Sequence, residues 1–328
     1  MKVCIVGGTG LIGYHSALAF LKKGHEVTAM ALPDITLGDW FPQETDVRYG
    51  NVFEMGDAEL KDVFEGYDAM VYAVGPDDRY RPKSDAYTFF HERLVEACGR
   101  VISMAREAGV KRAVILNSYF AYFARVYPEW HLMEHHPYIR CRVEQAEHAI
   151  AEGGGQMDVM ILELPYIFGT MPERKPLWDD VLIQRFARSK TAFFPKGGTT
   201  MITVEHVAEA VVGAVEHGEH GKRYPIGDVN MPWDTMIRIM LDAMGMEQKK
   251  IVTVPDFLAI LAGKWMKRKE RREGYDSGLD LAHLFKDIQC RYTYFDPSES
   301  SEALRYNRGG VEEAIVETVR ACVSDRRQ

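Results

Sequence analysis

The chain has 328 residues, of which 46% are hydrophobic and 27% are charged. This is the composition of an ordinary globular protein, long enough for one large α/β domain or two unequal ones. The formal net charge of −8 argues against nucleic-acid binding as the main function, and no apolar run is long enough to span a bilayer. We therefore expect no nucleic-acid partner and no contact with a membrane.

The five cysteines are dispersed along the chain and include no C-x-x-C pair. An odd, scattered set predicts reduced thiols in the cytoplasm rather than a disulfide framework or a zinc site. The first residues already form a predicted core strand, which does not have the character of a cleaved signal peptide. We therefore expect a cytoplasmic protein. Its cysteines are Cys4, Cys98, Cys141, Cys290 and Cys322.

A glycine-rich turn follows the first predicted strand, whose apolar residues lie at positions 3–6. A predicted helix over residues 11–23 comes next, and residues 26–30 alternate like a second strand. Strand, turn, helix and strand within about 30 residues predict a βαβ unit whose turn holds a dinucleotide pyrophosphate on backbone N–H groups. The G-x-x-G-x-x-G spacing is formed by Gly7, Gly10 and Gly13.

The residues after the second strand do not decide between NAD and NADP. An acidic side chain there would bind the ribose 2′-hydroxyl, whereas an arginine would accept a 2′-phosphate. This chain has Met30, Ala31 and Leu32 at that point, and Asp34 gives only slight support for NAD. Asn51, which follows a third predicted strand, is a candidate contact to the adenine.

The remaining pattern predicts an α/β fold with a Rossmann-type doubly wound parallel sheet in residues 1–165, to which residues 201–228 return. Residues 166–200 and 229–328 are predicted to form a smaller, mostly helical substrate-binding portion. The further predicted elements are strands over 69–74, 111–116, 157–162 and 224–227, and helices over 84–108, 138–151, 177–188 and 201–217.

Three polar side chains are predicted to carry the chemistry. Tyr138 and Arg142 are four residues apart on a predicted helix, hence on one face, and Ser118 ends a strand that points to the same cleft. A tyrosine hydroxyl exchanges protons near neutral pH only beside a fixed positive charge, which Arg142 can supply. We predict that Ser118 holds a substrate oxygen while Tyr138 transfers the proton and a nicotinamide exchanges hydride.

These motifs, in this order, resemble those of the NAD-dependent epimerase/dehydratase family, the extended branch of the short-chain dehydrogenases/reductases. The resemblance covers residues 1–230 best. Arg142 stands where the family has its catalytic lysine, so the chain resembles an atypical member. The matching segments are the three glycines, Gly50-Asn51, Ala73-Val74-Gly75, Val110-Lys111-Arg112 with Asn117-Ser118 and Tyr122, Pro137-Tyr138 through Glu147, Pro165 through Gly169, and Met201 through Ala210.

The resemblance implies an NAD or NADP cofactor, a small-molecule substrate and a homodimer. It implies an oxidoreductase or epimerase/dehydratase that acts on a carbonyl or hydroxyl group by hydride transfer, with Ser118, Tyr138 and Arg142 as catalytic residues. Because the lysine is replaced, the alternative is a non-catalytic NAD(P)-binding regulator or assembly protein. The implied cofactor-binding residues are Gly7, Gly10, Leu11, Ile12, Gly13, Asn51, Val52, Ala73, Val74, Gly75, Asn117, Tyr138, Arg142, Pro165 and Ile167.

Three further features have more than one interpretation. His131, His135 and His136 have spacings that a metal could use, but no acidic or cysteine ligand completes a site, so a metal-free loop is favoured. The aromatic segment 119–127 is interpreted as a loop that serves either packing or a substrate pocket. The basic run 264–272 favours a solvated helix end over contact with a membrane surface or an anionic substrate group.

Overall fold

A parallel sheet organises the computed structural model, which describes residues 1–324. Its strands are β1 (Lys2–Val6), β2 (Glu26–Ala31), β3 (Asp46–Tyr49), β4 (Ala69–Tyr72), β5 (Arg112–Ser118), β6 (Asp158–Leu164), β7 (Tyr166–Phe168), β8 (Ala192–Pro195), β9 (Gly198–Thr203), β10 (Arg223–Pro225), β11 (Val229–Pro232), β12 (Ile251–Val254) and β13 (Tyr292–Thr293). Seven of these strands form one sheet in the order β10-β6-β5-β4-β1-β2-β3, with every neighbouring pair parallel.

The α-helices are α1 (Leu11–Lys22), α2 (Asp57–Phe64), α3 (Ala86–Phe90), α4 (Ala97–Glu107), α5 (Tyr119–Val126), α6 (Leu132–His135), α7 (Pro137–Gly153), α8 (Gln184–Arg188), α9 (Val204–His217), α10 (Trp233–Ala243), α11 (Asp256–Arg272), α12 (Leu281–Leu284), α13 (Ser298–Leu304) and α14 (Val311–Ser324). A π-helical turn over His91–Glu96 joins α3 to α4, and others cover Asp179–Ile183 and Phe285–Gln289. A short 3₁₀ turn covers Pro128–Trp130.

Helices cover both faces of the seven-stranded sheet. Successive side chains of a strand point to opposite faces, so Cys4 and Val6 of β1 pack against the layer of α2, α4 and α7. Val3 and Ile5 of the same strand pack on the other side, against the layer that contains α1 and α9. The predicted doubly wound α/β sheet of the Rossmann type is confirmed.

The strand order places a crevice beside the glycine turn. β1 lies between β2 and β4, so the chain crosses to one side of β1 and later to the other. In such a sheet the connections diverge at this point and leave a crevice at the carboxyl ends of the strands. The turn after β1 opens into that crevice.

The remainder of the described chain packs beside this sheet. β9 pairs with β7, β11 and β13, and β8 pairs with β12. A separate apolar cluster joins α10 and α14 around Phe168, Phe186 and Trp233. After residue 229 the helices α10, α11 and α14 are the longest elements, so this portion is mostly helical, as predicted.

The predicted helix over 201–217 is wrong in its first residues. The segment Gly198–Thr203 is the buried strand β9, and the helix begins only at Val204. The sequence GTTMIT is rich in β-branched residues, which favour a strand packed on both faces. Thr203 then caps α9, since its hydroxyl accepts a hydrogen bond from the N–H of His206 at 3.2 Å.

The aromatic segment 119–127, interpreted as a loop, is largely the helix α5. Ser118 is its N-cap, and the Ser118 hydroxyl accepts a hydrogen bond from the N–H of Phe120 at 3.3 Å. Tyr119, Phe120 and Phe123 are buried, so one face of the helix joins an aromatic core. The helical period is hard to recognise because aromatic side chains lie on more than one face of this short helix.

Candidate active site

A cavity of about 1230 Å³ opens at the carboxyl ends of β1, β2, β3 and β4. The segments that follow these four strands form most of its wall, and residues 171–174 close it from the other side. Its volume and position suit an extended nucleotide ligand. Seven of the predicted cofactor-binding residues line it, namely Gly7, Gly10, Asn51, Val52, Ala73, Val74 and Gly75.

The glycine turn is held by close backbone packing. Gly7 has a φ of +84°, and a Cβ there would lie 2.5 Å from Cγ1 of Val74. A Cβ on Gly13 would lie 2.2 Å from the carbonyl oxygen of Gly7, so only glycine lets α1 pack against the turn. Gly10 differs, because its nearest neighbour, the same carbonyl oxygen, is 3.4 Å away and its open side faces the cavity.

The first turn of α1 fits an anion. Gly10 is the N-cap of this helix and offers no side-chain cap, so the N–H groups of the turn keep their capacity to bind a ligand. The helix has no acidic residue in its first turn that would repel a phosphate. A side chain at Gly10 would reduce the open space of the cavity beside this turn.

Arg174 is a cavity residue that the sequence did not reveal. Its Nη1 atom lies 3.8 Å from the position that a Cβ would take on Gly10, so its charge stands over the glycine turn. It follows β7 in a short loop closed by a bridge between Met171 and Arg174. Nothing in the local pattern distinguishes this arginine from an ordinary surface residue.

Tyr138 and Arg142 meet as the helical spacing predicts. Tyr138 lies in the first turn of α7, and the Nε–H of Arg142 donates a hydrogen bond to its hydroxyl oxygen at 2.9 Å. Nη1 of Arg142 donates to Oε1 of Gln145 at 2.9 Å and to the carbonyl oxygen of Leu116 at 3.3 Å. The guanidinium is therefore anchored by β5 and by its own helix.

Residues 7–218, more than half of the chain, match the sequence model of the family described as NAD(P)H-binding. The chain belongs to the NAD(P)H-binding family. The predicted cofactor class, NAD or NADP, is confirmed. No curated protein matches the chain significantly by sequence.

Solved structures share the fold of this NAD(P)H-binding protein at low identity. The crystal structure of gox2253 is 15% identical, with 100% of this chain and 99% of the other covered and a TM-score of 0.81. A nucleoside-diphosphate-sugar epimerase from Pseudomonas aeruginosa is 16% identical over 99% and 98% of the chains, with a TM-score of 0.70. A double mutant of a dTDP-glucose 4,6-dehydratase from Streptomyces venezuelae, crystallised with NAD, is 16% identical over 100% and 98%, with a TM-score of 0.70.

In this member of the family, the environment of Tyr138 favours its protonated form. Burial raises the pKa of the Tyr138 hydroxyl, the charge of Arg142 opposes that shift, and Asp78 adds to it. The side chain is only 4% exposed. At neutral pH the hydroxyl therefore carries its proton, which it can donate to an oxygen atom placed against it.

Asp78 is a second group that sequence reasoning missed. It lies in the segment that follows β4, where burial and the neighbouring Asp77 raise its pKa to about 6, while Arg79 and Arg142 oppose the shift. Its charge also raises the pKa values of Tyr138 and Tyr166. An acidic residue in a glycine- and proline-containing loop reads as an ordinary turn, so the pattern gave no signal.

Ser118 and Asn117 have structural partners of their own. The Ser118 hydroxyl caps α5, and within residues 1–324 it makes no hydrogen bond to Tyr138 or Arg142. The Asn117 amide donates to the backbone oxygen of Arg142 at 2.9 Å and to Oε1 of Gln145 at 3.2 Å. Asn117 thus joins β5 to α7, and it is 3% exposed.

The other predicted cofactor-binding residues do not line the cavity. Leu11 and Ile12 are partly buried in the first turn of α1, and Pro165 and Ile167 lie at the junction of β6 with β7. Asp34 does not line the cavity, whereas Asp39, in the same loop, does.

The basic run 264–272 lies on α11 and has two kinds of residue. Lys267 is buried, and its Nζ contacts Asp276 at 2.7 Å, Glu270 at 3.2 Å and Asp280 at 3.3 Å. The surrounding basic side chains face solvent, together with Trp265, which is 64% exposed. Across residues 1–324, no helix combines the length and the apolar character needed to cross a membrane.

Proposed function

We propose that the chain is an NAD(P)-dependent oxidoreductase or epimerase/dehydratase that acts on a carbonyl or hydroxyl group of a small molecule. The observation that carries this proposal is the buried pair of Tyr138 and Arg142, joined at 2.9 Å. Arg142 also bonds to the carbonyl oxygen of Leu116 near the carboxyl end of β5, the neighbour of β4, at whose carboxyl end the cofactor cavity opens. The likeness to a sugar-nucleotide epimerase and a dehydratase supports the reaction class, since both proteins share the fold.

The cofactor would be held by the backbone of the glycine turn, with Arg174 beside its phosphates. When bound, the nicotinamide supplies the hydride donor or acceptor. Residues 30–40 contain no lysine or arginine, and Asp39 lines the cavity on the side where β2 ends. An acidic side chain there suits a ribose 2′-hydroxyl and repels a 2′-phosphate, so NAD is the preferred cofactor.

Tyr138 would act as the proton donor. Its hydroxyl oxygen accepts from Arg142, so its own hydrogen is directed elsewhere and can bond to a carbonyl oxygen of the substrate. After the proton leaves, the fixed charge of Arg142 stabilises the phenolate. Because a guanidinium does not release its proton, Arg142 positions and stabilises but takes no part in a proton relay.

Ser118 would orient the substrate. Its oxygen accepts from the N–H of Phe120, and its own O–H stays available to hold the substrate oxygen beside Tyr138. The substrate itself would bind to residues 166–200 and 229–324. This follows the division predicted from the sequence, in which residues 1–165 and 201–228 form the cofactor-binding domain. The five free cysteines support a cytoplasmic location.

A non-catalytic NAD(P)-binding regulator or assembly protein is the second candidate. Tyr138 and Arg142 are only 4% and 8% exposed, and neither is among the residues that line the cavity. If no substrate can reach the Tyr138 hydroxyl, the protein binds the cofactor but catalyses no reaction.

The test is a search for turnover by the wild-type chain. The protein is incubated with NADH or NADPH and a panel of ketones and aldehydes, and with NAD⁺ or NADP⁺ and a panel of nucleotide sugars, and cofactor absorbance and sugar products are followed. We expect turnover of at least one carbonyl compound or sugar nucleotide, faster with NAD(H) than with NADP(H). Tight cofactor binding without turnover of any panel member would favour the regulator instead.

A further inference from the structure

Three imidazoles and one carboxylate converge at the start of the helix that carries Tyr138. His135 ends α6, His136 is the N-cap of α7, His283 lies in α12 and Asp287 lies in the π-helical turn after it. We call these four residues the histidine cluster. The sequence favours a metal-free loop because no acidic or cysteine ligand near the histidines completes a site, but the fold brings Asp287 from 152 residues away.

All three histidines approach one oxygen atom. Oδ2 of Asp287 lies 2.6 Å from Nδ1 of His135, 3.5 Å from Nε2 of His136 and 3.7 Å from Nδ1 of His283. The rings of His135 and His283 are stacked with their centroids 3.9 Å apart. One ligand atom from each of His135, His283 and Asp287 lies within 4.8 Å of the other two.

Two nitrogen atoms of the cluster are buried without a hydrogen-bond partner, Nε2 of His136 and Nδ1 of His283. A buried polar atom in this state costs free energy, so a native structure usually satisfies it with a ligand or a solvent molecule. His136 is fully buried and Asp287 is 1% exposed, whereas the side chains of His135 and His283 are 26% and 39% exposed. The cluster is therefore closed on the side of His136 and Asp287. It is open to solvent on the side of His135 and His283, where an ion can enter.

The hydrogen bond of His136 assigns the roles within the cluster. Nδ1 of His136 accepts the backbone N–H of Asp280 at 3.0 Å, so in the neutral ring the proton sits on Nε2, which faces the Asp287 carboxylate. This N–H group faces the carboxylate from 3.5 Å without forming a hydrogen bond, in the position that the outer residues of metal sites commonly take. Nδ1 of His135 donates a hydrogen bond to Oδ2 of Asp287 at 2.6 Å, so an ion bound to both atoms would release that proton to solvent. The nitrogens of His135 and His283 are the candidate ligands.

We propose that the histidine cluster binds a divalent first-row transition metal of the zinc type, with Nδ1 of His135, Nδ1 of His283 and Oδ2 of Asp287 as ligands. Two imidazoles and one carboxylate are a donor set that suits Zn²⁺, whereas Mg²⁺ and Ca²⁺ require oxygen ligands. Solvent on the open side supplies the fourth ligand.

Such an ion would fasten the C-terminal portion to the catalytic helix. The ligands come from α6 on one side and from residues 283–287 on the other. The N–H of Tyr138 already donates to the carbonyl oxygen of Gly278 at 2.9 Å, so this segment rests against the first turn of α7. The ion is a structural clamp and lies outside the proton transfer assigned to Tyr138.

Calorimetric titration of ZnCl₂ into the full, untagged, chelator-treated chain tests the proposal. We expect one site per chain in the wild type, no heat with MgCl₂, and an affinity at least about tenfold weaker in His283→Ala. His131→Ala is the matched control, since His131 is exposed, pairs with Glu134 at 3.1 Å and lies outside the cluster. Wild-type binding in His283→Ala, or an equal loss in His131→Ala, would overturn the site.

A second variant and a second measurement protect this test against a folding defect. Asp287→Asn keeps the shape of the side chain but removes its charge, and its melting temperature without metal shows whether it folds. Zn²⁺ should raise the melting temperature of the wild type and of His131→Ala, and should leave those of His283→Ala and Asp287→Asn unchanged. An equal rise in all four proteins would show adventitious binding at surface groups and would contradict the proposal.

Discussion

The two ends of the candidate site are built differently. The phosphate end is made of backbone and glycine, with Gly10 open to a cavity of about 1230 Å³. The chemical end is made of side chains that bond to one another, with Tyr138 and Arg142 buried. The first end depends on the absence of side chains at its glycines, whereas the second depends on one network of hydrogen-bonded side chains. Binding and chemistry can therefore be lost separately.

Tyr138→Phe should separate the two ends most strongly. The variant keeps the aromatic ring, which packs against Phe90 with centroids 5.3 Å apart, and loses only the proton donor. With a substrate from the panel we expect kcat to fall by about 10²- to 10⁴-fold. Tyr122→Phe removes a hydroxyl from the neighbouring helix and should keep wild-type kcat. A Tyr138→Phe variant with undiminished kcat would remove Tyr138 from the mechanism.

Gly13→Ala should damage the phosphate end. The new Cβ would lie 2.2 Å from the carbonyl oxygen of Gly7, so α1 and the turn must move apart. We expect the free energy of unfolding to fall by about 1–3 kcal/mol and NADH binding to be largely lost. The control is Gly56→Ala, because a Cβ on Gly56 meets nothing within 4 Å. Urea unfolding and NADH titration measure both effects, and equal results for the two variants would refute the packing argument.

Arg142→Lys tests whether charge or shape matters at the chemical end. Lysine keeps the charge but cannot reproduce the bonds of the guanidinium to Tyr138, Gln145 and Leu116 together. We expect a loss of about 1–2 kcal/mol in the free energy of unfolding, with part of kcat retained. Arg140→Lys is the surface control, since its partner Glu144 is bound at 2.8 Å on the exposed side of the same helix. An Arg142→Lys variant with the wild-type free energy of unfolding would show that these three hydrogen bonds do not stabilise the protein.

Asp78 is expected to make the free energy of unfolding depend on pH. Its pKa is about 6 in the folded chain against 3.8 for an ordinary aspartate, so the folded protein holds this proton longer than the unfolded chain. The free energy of unfolding therefore falls as the pH rises from about 4 to about 6, because the folded chain must give up a proton that it binds more tightly than the unfolded chain does. Measured by urea unfolding across this pH range, the free energy of unfolding should fall less in Asp78→Asn than in the wild type. Parallel curves would mean that Asp78 titrates normally.

The phosphate end could be predicted because its signal is local. The spacing of Gly7, Gly10 and Gly13 after an apolar strand already specifies strand, turn and helix. The i, i+4 spacing of Tyr138 and Arg142 on α7 likewise follows from the helical period alone.

Groups placed by tertiary structure could not be predicted. Arg174 reaches the glycine turn from the far side of the cavity, and Asp287 reaches the histidines across 152 residues. The segment of β9 resembled a helix because a run of buried residues has no period that distinguishes strand from helix. In each case the deciding contact is remote in sequence.

Titration of NADH into wild type and Tyr138→Phe tests the central claim that binding and chemistry are separate. If the claim is right, the dissociation constants agree within about twofold, because the glycine turn and Arg174 would hold the phosphates and the phenol hydroxyl would hold none. A loss of NADH binding in Tyr138→Phe as large as that in Gly13→Ala would contradict it.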